Sequence, residues 1–374
     1  MDLAYLHIAS LVFSLFFVLL LLSKKDKSLG DYLLVGFFGL LMINFATMFV
    51  VAKELSGYQF LLELSDASVF IYGPLLWWYV LSYTEVNFRF GPLYWGHGLP
   101  FLVVLALLEI HVVNGVLVTD LIRHSLLFLK LLCVFLYLLL IFQNLARYQK
   151  NLKQFFSTTE RLQLRWMYFL CLSFLGVWAI AAVSLSLFFF GGINIPLHGG
   201  LYSNISVSLV VFVMGIYGFR QTMVFSPAYP FREVMATASP NDHLDPQEPQ
   251  PKYRNSGLQA PEAEAQLERL LQYMQNERPY LDQDLTLFKL AEALDLPPNH
   301  LSQIINSLRK QNFFDFINQY RVEAVKSLLT EPKAQKMTLL GLGMEAGFKS
   351  KASFNRAFKK FTGQTPSEFK ASLG

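Results

Sequence analysis

Residues 1–225 hold seven apolar stretches in close succession, and nothing else in the chain restricts its folding as much. They lie at about residues 4–22, 30–52, 66–83, 93–110, 125–143, 166–190 and 201–219. In hydrocarbon no water satisfies backbone N–H and C=O groups, so an apolar run of about 20 residues is stable there only as a helix. The pattern predicts an all-α fold that begins with a seven-helix transmembrane bundle, residues 1–225. The third stretch is the least regular: Glu63 and Asp66 crowd its start, and Pro74 predicts a kink.

Charge in the loops predicts orientation. With the N-terminus outside, Lys24, Lys25, Lys27, Arg89, Arg147, Lys150, Lys153, Arg161, Arg165 and Arg220 all fall inside, while Lys53, Arg123 and Lys130 fall outside. The excess of basic residues on one side places the long C-terminal part in the cytoplasm. A cleaved signal peptide would carry a basic region before its apolar run. Here Asp2 precedes the first run and the lysines follow it.

The apolar half carries no HExxH spacing, no Gly-rich phosphate loop and no nucleophile elbow, so it offers no enzyme chemistry and implies no cofactor or metal. Cys133 and Cys171 sit inside apolar runs and read as packing residues. Ionisable side chains at membrane depth are functional candidates. Glu109 and Lys130 lie at similar depth near the outer face and read as an intramembrane pair; in the alternative, Lys130 snorkels outward and Glu109 lies among headgroups. Trp77, Trp78, Tyr79 and Trp95 fit an interfacial belt. The Gly-rich stretch 191–200 reads as an external turn or lid.

Composition then changes along the chain. Over its whole length 16% of residues are charged, against about 25% in an ordinary globular domain. Residues 1–225 contain 13 Lys/Arg and 10 Asp/Glu, whereas residues 258–374, about half as many, contain 15 and 13. Between the two lies a stretch, 226–257, with six prolines and little apolar periodicity. It reads as a cytoplasmic linker with a root-mean-square span of about 30 Å. Residues 258–280 form an amphipathic connector with Ala263, Leu267, Leu270, Leu271 and Met274 on one stripe. That stripe suits docking on the domain that follows or, as a second use, dimer formation.

From residue 281 to 374 short helices alternate with tight turns. "TLFKLAEALDLPPNHLSQIINSLRK" predicts a helix over 286–294, a turn at Asp295-Leu296-Pro297 and a second helix over about 298–309. Leu301, Ile304, Ile305 and Leu308 make one stripe of the second helix. Asn299, Gln303, Asn306 and Lys310 lie opposite; such amide and cationic groups pair with base edges and phosphates. "MTLLGLGMEAGFKSKASFNRAFKKF" repeats the layout, with a turn at Ala346-Gly347-Phe348 and a helix from Ser350 to Phe361. Phe354, Ala357, Phe358 and Phe361 face inward, leaving Ala352, Asn355, Arg356 and Lys359 outward, with Lys349, Lys351 and Lys360 at the flanks. Thr365, Pro366 and Glu368 predict a capped final helix. The stretch 312–329 predicts a helix joining the two units, with Phe313, Phe316, Ile317, Tyr320, Ala324 and Leu328 as its core face. From residue 296 onward 12 Lys/Arg stand against 5 Asp/Glu, which fits phosphate neutralisation.

These residues, above all "GFKSKASFNRAFKKFTGQTPSEF" at 347–369, resemble the DNA-binding domain of AraC/XylS-type bacterial transcription regulators over residues 281–372. The sequence departs from the family pattern at Asp295, where Gly is frequent, at Leu342-Gly343, where Ile-Ala is usual, and at Lys370, where Arg is common. The resemblance implies two helix-turn-helix units that bind promoter DNA. Their candidate contact residues are Asn299, Gln303, Asn306 and Lys310 in the first unit, and Lys349, Ser350, Lys351, Ala352, Asn355, Arg356, Lys359 and Lys360 in the second. Joined to the apolar half, it implies a multi-pass protein of the bacterial inner membrane. The expected partners are double-stranded DNA and membrane lipid, with a small-molecule or envelope signal and a second copy of the chain as further partners. The alternative from another class is a membrane receptor or transport-like protein whose helical tail binds a protein.

Overall fold

The computed structural model describes residues 3–55, 57–85, 88–113, 120–159, 164–191, 207–208, 211, 260–332 and 336–373. The expected linker 226–257 and residues 192–200 of the Gly-rich stretch lie outside them. The chain divides into two compact units, one of residues 1–146 with 164–229 and one of residues 147–163 with 230–374.

The first unit corrects the expectation of seven spans. Among the described residues five helices are long and apolar enough to cross a membrane. They are Ala4–Leu22 in α1 (Leu3–Leu22), then α2 (Leu29–Ala52) and α3 (Gln59–Thr84). Pro92–Ile110 follows, through α4 (Pro92–Trp95), a 3-10 turn and α5 (Leu99–Val113), and the fifth is Ser125–Phe155 in α6 (Asp120–Phe155). The sixth stretch does form a helix, α7 (Arg165–Gly191), but its described apolar part is only Met167–Ile180. The seventh stretch lies outside the described residues except for 207, 208 and 211.

Polar groups explain the shape of this unit. Ser28 caps α2 in a reciprocal box with Asp31, and Lys24 meets the buried Asp31 carboxylate at 2.5 Å, closing the α1–α2 hairpin. α3 begins earlier than its apolar stretch because its first turns have internal partners. Asn44 donates to Ser65 at 2.7 Å, and Asp66 pairs with Lys130. The helix runs through Pro74 without a break, and a Cβ on the neighbouring Gly73 would lie 2.7 Å from the Tyr137 ring, so glycine is required for that approach. Trp78 and Tyr79 are buried in the bundle, not arranged in a belt, whereas Trp95 is exposed. Val12, Phe16 and Leu19 on α1 and Leu102 and Leu107 on α5 are exposed, as side chains facing lipid would be.

The second unit contains α8 (Ala260–Asn276), α9 (Leu287–Ala293), α10 (Pro298–Leu308), α11 (Phe313–Thr330), α12 (Leu339–Glu345), α13 (Lys351–Thr362) and α14 (Pro366–Ser372). Sequence chemistry sets nearly every boundary. Thr286, Asn312, Thr338 and Ser350 each accept a backbone N–H in the first turn of the helix they cap, and Thr365 with Glu368 forms the expected capping box. That contact holds the Glu368 carboxyl below its ordinary value, because it accepts the Thr365 backbone N–H. Asp295, in the turn between α9 and α10, takes the left-handed conformation at φ 50°. Gly363 ends α13 at φ 78°.

The second helix-turn-helix packs around Val322, Val325, Leu342, Phe348, Phe354 and Phe358. Rings of Phe348 and Phe354, Phe354 and Phe358, and Phe358 and Phe369 meet at 5.3, 5.7 and 5.4 Å. Gly343 has a physical reason in this packing: a Cβ there would stand 2.9 Å from Phe354 Cγ. The glycine costs α12 about 1 kcal/mol of helix propensity and admits the ring. In the first unit Leu301, Ile304 and Ile305 are buried as expected, but Leu308 at the end of α10 is 39% exposed. Leu270 and Met274 bury the expected stripe of α8, which contacts α10.

Gly347 stands at φ 92°, and a Cβ there would lie 2.4 Å from the Tyr280 carbonyl oxygen. Gly347→Ala is therefore expected to destabilise this unit by at least ~2 kcal/mol through backbone strain and overlap. Amide hydrogen exchange across α12 and α13 checks this, and native-like protection would refute it.

Candidate nucleic-acid interface

The second helix of each unit displays the residues that could meet DNA. On α13 the packing of Phe354, Ala357 and Phe358 turns Lys351, Ala352, Asn355, Arg356 and Lys359 outward, and all five are exposed. They form a cationic and amide-bearing face over three turns of helix. The flanking candidates have internal roles. Lys349 pairs with Asp284, and Lys360 meets Asp315 at 2.7 Å. Ser350 is the N-cap, accepting the Ser353 N–H at 3.1 Å, so its hydroxyl sets the start of the helix.

On α10 the candidates are less open. Asn299 and Gln303 are half-buried, and Asn299 Oδ1 accepts the His300 N–H at 2.8 Å. Asn306 Nδ2 donates to Gln154 Oε1 at 3.1 Å and to Ser302 Oγ at 3.2 Å. Lys310 is exposed but lies beyond the helix end, in a left-handed conformation at φ 52°. In the first unit, Lys130 of the expected intramembrane pair makes its ion pair with Asp66, and Glu109 lies beside Glu63. Among the described residues no group of three or more His, Cys, Asp or Glu could hold a metal ion.

Arg321, absent from the candidates drawn from sequence, holds the interface together. It is 1% exposed, on α11, the helix that joins the two helix-turn-helix motifs. Its Nε donates to the Tyr280 carbonyl at 2.8 Å, and Nη2 donates to the Asp282 carbonyl at 2.8 Å and to Ser157 Oγ at 3.1 Å. Nη1 reaches Ser157 O, Thr158 Oγ1 and Asn318 Oδ1 at 3.3 to 3.4 Å. Burial lowers its pKa to about 10, with Asp282 and Asp284 opposing the shift, so it stays charged at neutral pH. One signal of this role was present in the sequence: Arg321 follows Ile317 by four and precedes Val325 by four, a cation at a core-facing position of an amphipathic helix.

A family model described as a helix-turn-helix domain matches residues 290–372. Two uncharacterized HTH-type transcriptional regulators of Staphylococcus aureus, from strains COL and N315, are each 34% identical over 91 residues, which is 24% of this chain and 12% of theirs. The uncharacterized HTH-type transcriptional regulator YtdP of Bacillus subtilis strain 168 is 30% identical over 89 residues, 24% of this chain and 11% of its own. The likeness is thus confined to the C-terminal quarter and spans about an eighth of those relatives. No solved structure matches significantly.

Replacing Arg321 by Leu would leave the carbonyls of Tyr280 and Asp282 without this donor, while that of Ser157 keeps Asn318. At roughly 1–3 kcal/mol for each unsatisfied buried acceptor, a loss of about 3 kcal/mol or more is expected. Lysine should not restore it, because a single ammonium cannot reproduce the planar fork. Local unfolding free energies from amide exchange in α9 to α11 test both substitutions.

Proposed function

We propose that this chain is a membrane-bound bacterial transcription regulator of the AraC/XylS type. Its two helix-turn-helix units bind promoter DNA from the cytoplasmic side of the inner membrane. The exposed face of α13 carries the reading: Lys351, Asn355, Arg356 and Lys359 project together from a helix whose opposite side is a packed Phe stripe. Lysine and arginine at such a face neutralise phosphates, while Lys351, Ala352 and Asn355, near the start of the helix, are placed to meet base edges. Asn299, Gln303 and Asn306 serve the same purpose in the first unit. α11, with 18 residues and a length of about 27 Å, spaces the two helices on the scale of one ~34 Å turn of DNA. The loop charges place the N-terminus outside, and the apolar helices hold the regulator in lipid. There they take up a signal from a small molecule or the envelope.

Binding of the full-length protein to a duplex selected from a random pool should weaken steeply with salt, by about 0.9 in the log–log slope per phosphate neutralised. Arg356→Ala and Lys359→Ala should each lower that slope by about 1. A folded protein that binds duplexes without salt dependence, unaffected by both substitutions, would instead favour a helical tail that binds another protein.

A further inference from the structure

The second unit contains, besides its C-terminal helices, the end of α6 and the residues just after it, and these are built into the first helix-turn-helix. Ser157 is 1% exposed, and its backbone N–H and its Oγ both donate to the Leu285 carbonyl, at 3.3 and 2.7 Å. Its own carbonyl accepts from Asn318 Nδ2 at 3.2 Å and from Arg321 Nη1 at 3.3 Å. Thr158 Oγ1 donates to the Gln283 carbonyl at 3.0 Å. Phe156 makes an antiparallel bridge with Thr286, and Phe155 stacks on Phe288 at 5.7 Å. The segment thus pairs with the residues leading into α9, the Phe155 ring lies on Phe288 in the first turn of α9, and the guanidinium of Arg321 clamps the middle.

Gln154, in the last turn of α6, hydrogen-bonds Asn306 on the outward half of α10. An α-helix with its side chains is about 10–12 Å across, and the major groove is about 12 Å wide. The groove therefore admits α10 alone, not α10 with the end of α6 held against Asn306.

We propose that the surface formed by Gln283–Phe288, Asn318 and Arg321 is a docking site for the chain's own segment Gln154–Thr159, and that docking and seating of α10 in DNA exclude each other. The proposal rests on the DNA-binding reading above and adds its control. The segment is a latch at the end of α6, the helix that also contains the last of the five apolar spans. Its release frees Asn306 and the flank of α10. The apparent affinity for DNA is the intrinsic one reduced by the fraction of molecules with the latch open.

The test uses the full-length protein in lipid nanodiscs and a fluorescent duplex selected from a random-sequence pool. Phe155→Ala with Ser157→Ala opens the latch without touching any candidate DNA contact. It should bind the duplex roughly tenfold more tightly than the unaltered protein, as expected if the latch is open in about a tenth of molecules. Thr158→Cys with Gln283→Cys, in a chain carrying Cys133→Ala and Cys171→Ala and joined by a cleavable thiol cross-linker, should bind more weakly and recover on cleavage. Amide exchange on α13 verifies that each variant is folded. Equal affinity of opened and unaltered proteins overturns the latch and leaves DNA binding standing, as does weaker binding by the opened form, which would make the segment part of the DNA surface. Failure of every folded form to bind any duplex overturns the DNA reading, and the latch with it.

Discussion

The second unit depends on one buried cation. A guanidinium removed from water is costly unless its N–H groups are satisfied and its charge is compensated. Arg321 meets this requirement with the carbonyls of Tyr280, Asp282 and Ser157, the side chains of Ser157, Thr158 and Asn318, and the nearby carboxylates of Asp282 and Asp284. Its partners come from the segment after α6, the turn before α9 and α11 itself, and a Cβ on Gly347 before α13 would come within 3.0 Å of its Nε. A planar group with five donors in fixed directions selects one geometry for elements far apart in sequence while they are docked on it.

In the first unit the governing constraint is the lack of water. Three polar pairs join separate elements of the bundle, Asn44 with Ser65, Asp66 with Lys130 and His97 with Tyr137, while hydroxyls such as those of Ser10, Ser14 and Thr84 donate to carbonyls of their own helix. α3 extends back to Gln59, and near its start Ser65 and Asp66 have partners on α2 and α6.

Much of the C-terminal fold was legible because each local choice agrees with the next. N-caps at Thr286, Asn312, Thr338, Ser350 and Thr365, the left-handed residues Asp295 and Gly347, and apolar stripes at helical spacing all point to the same boundaries. The missed features depend on tertiary neighbours. Gly343 looks like a weakness in a helix until the Phe354 ring is seen against it. Trp78 and Tyr79 look like belt residues until α3 is seen buried on that side. Nothing in the sequence around Ser157 indicates that a loop between two apolar stretches is received by residues about 130 positions later, because hydrogen bonds to backbone carbonyls leave no pattern of residue types. The count of spans, seven in the apolar pattern, stands at five among the described residues.

The long separation of Ser157 from its acceptors also has a consequence for the order of events during synthesis. The contacts from Ser157 to Leu285 and to Arg321 join residues 128 and 164 positions apart. At roughly 5–20 residues per second, the segment emerges on the order of 10 s before the partners it is built to meet. Phe155 and Phe156, buried in the finished protein, are exposed during that interval beside a growing apolar bundle. A later part of the chain therefore completes a surface begun near residue 155, and a truncated product lacking residues beyond 285 would leave the Phe155 ring without Phe288.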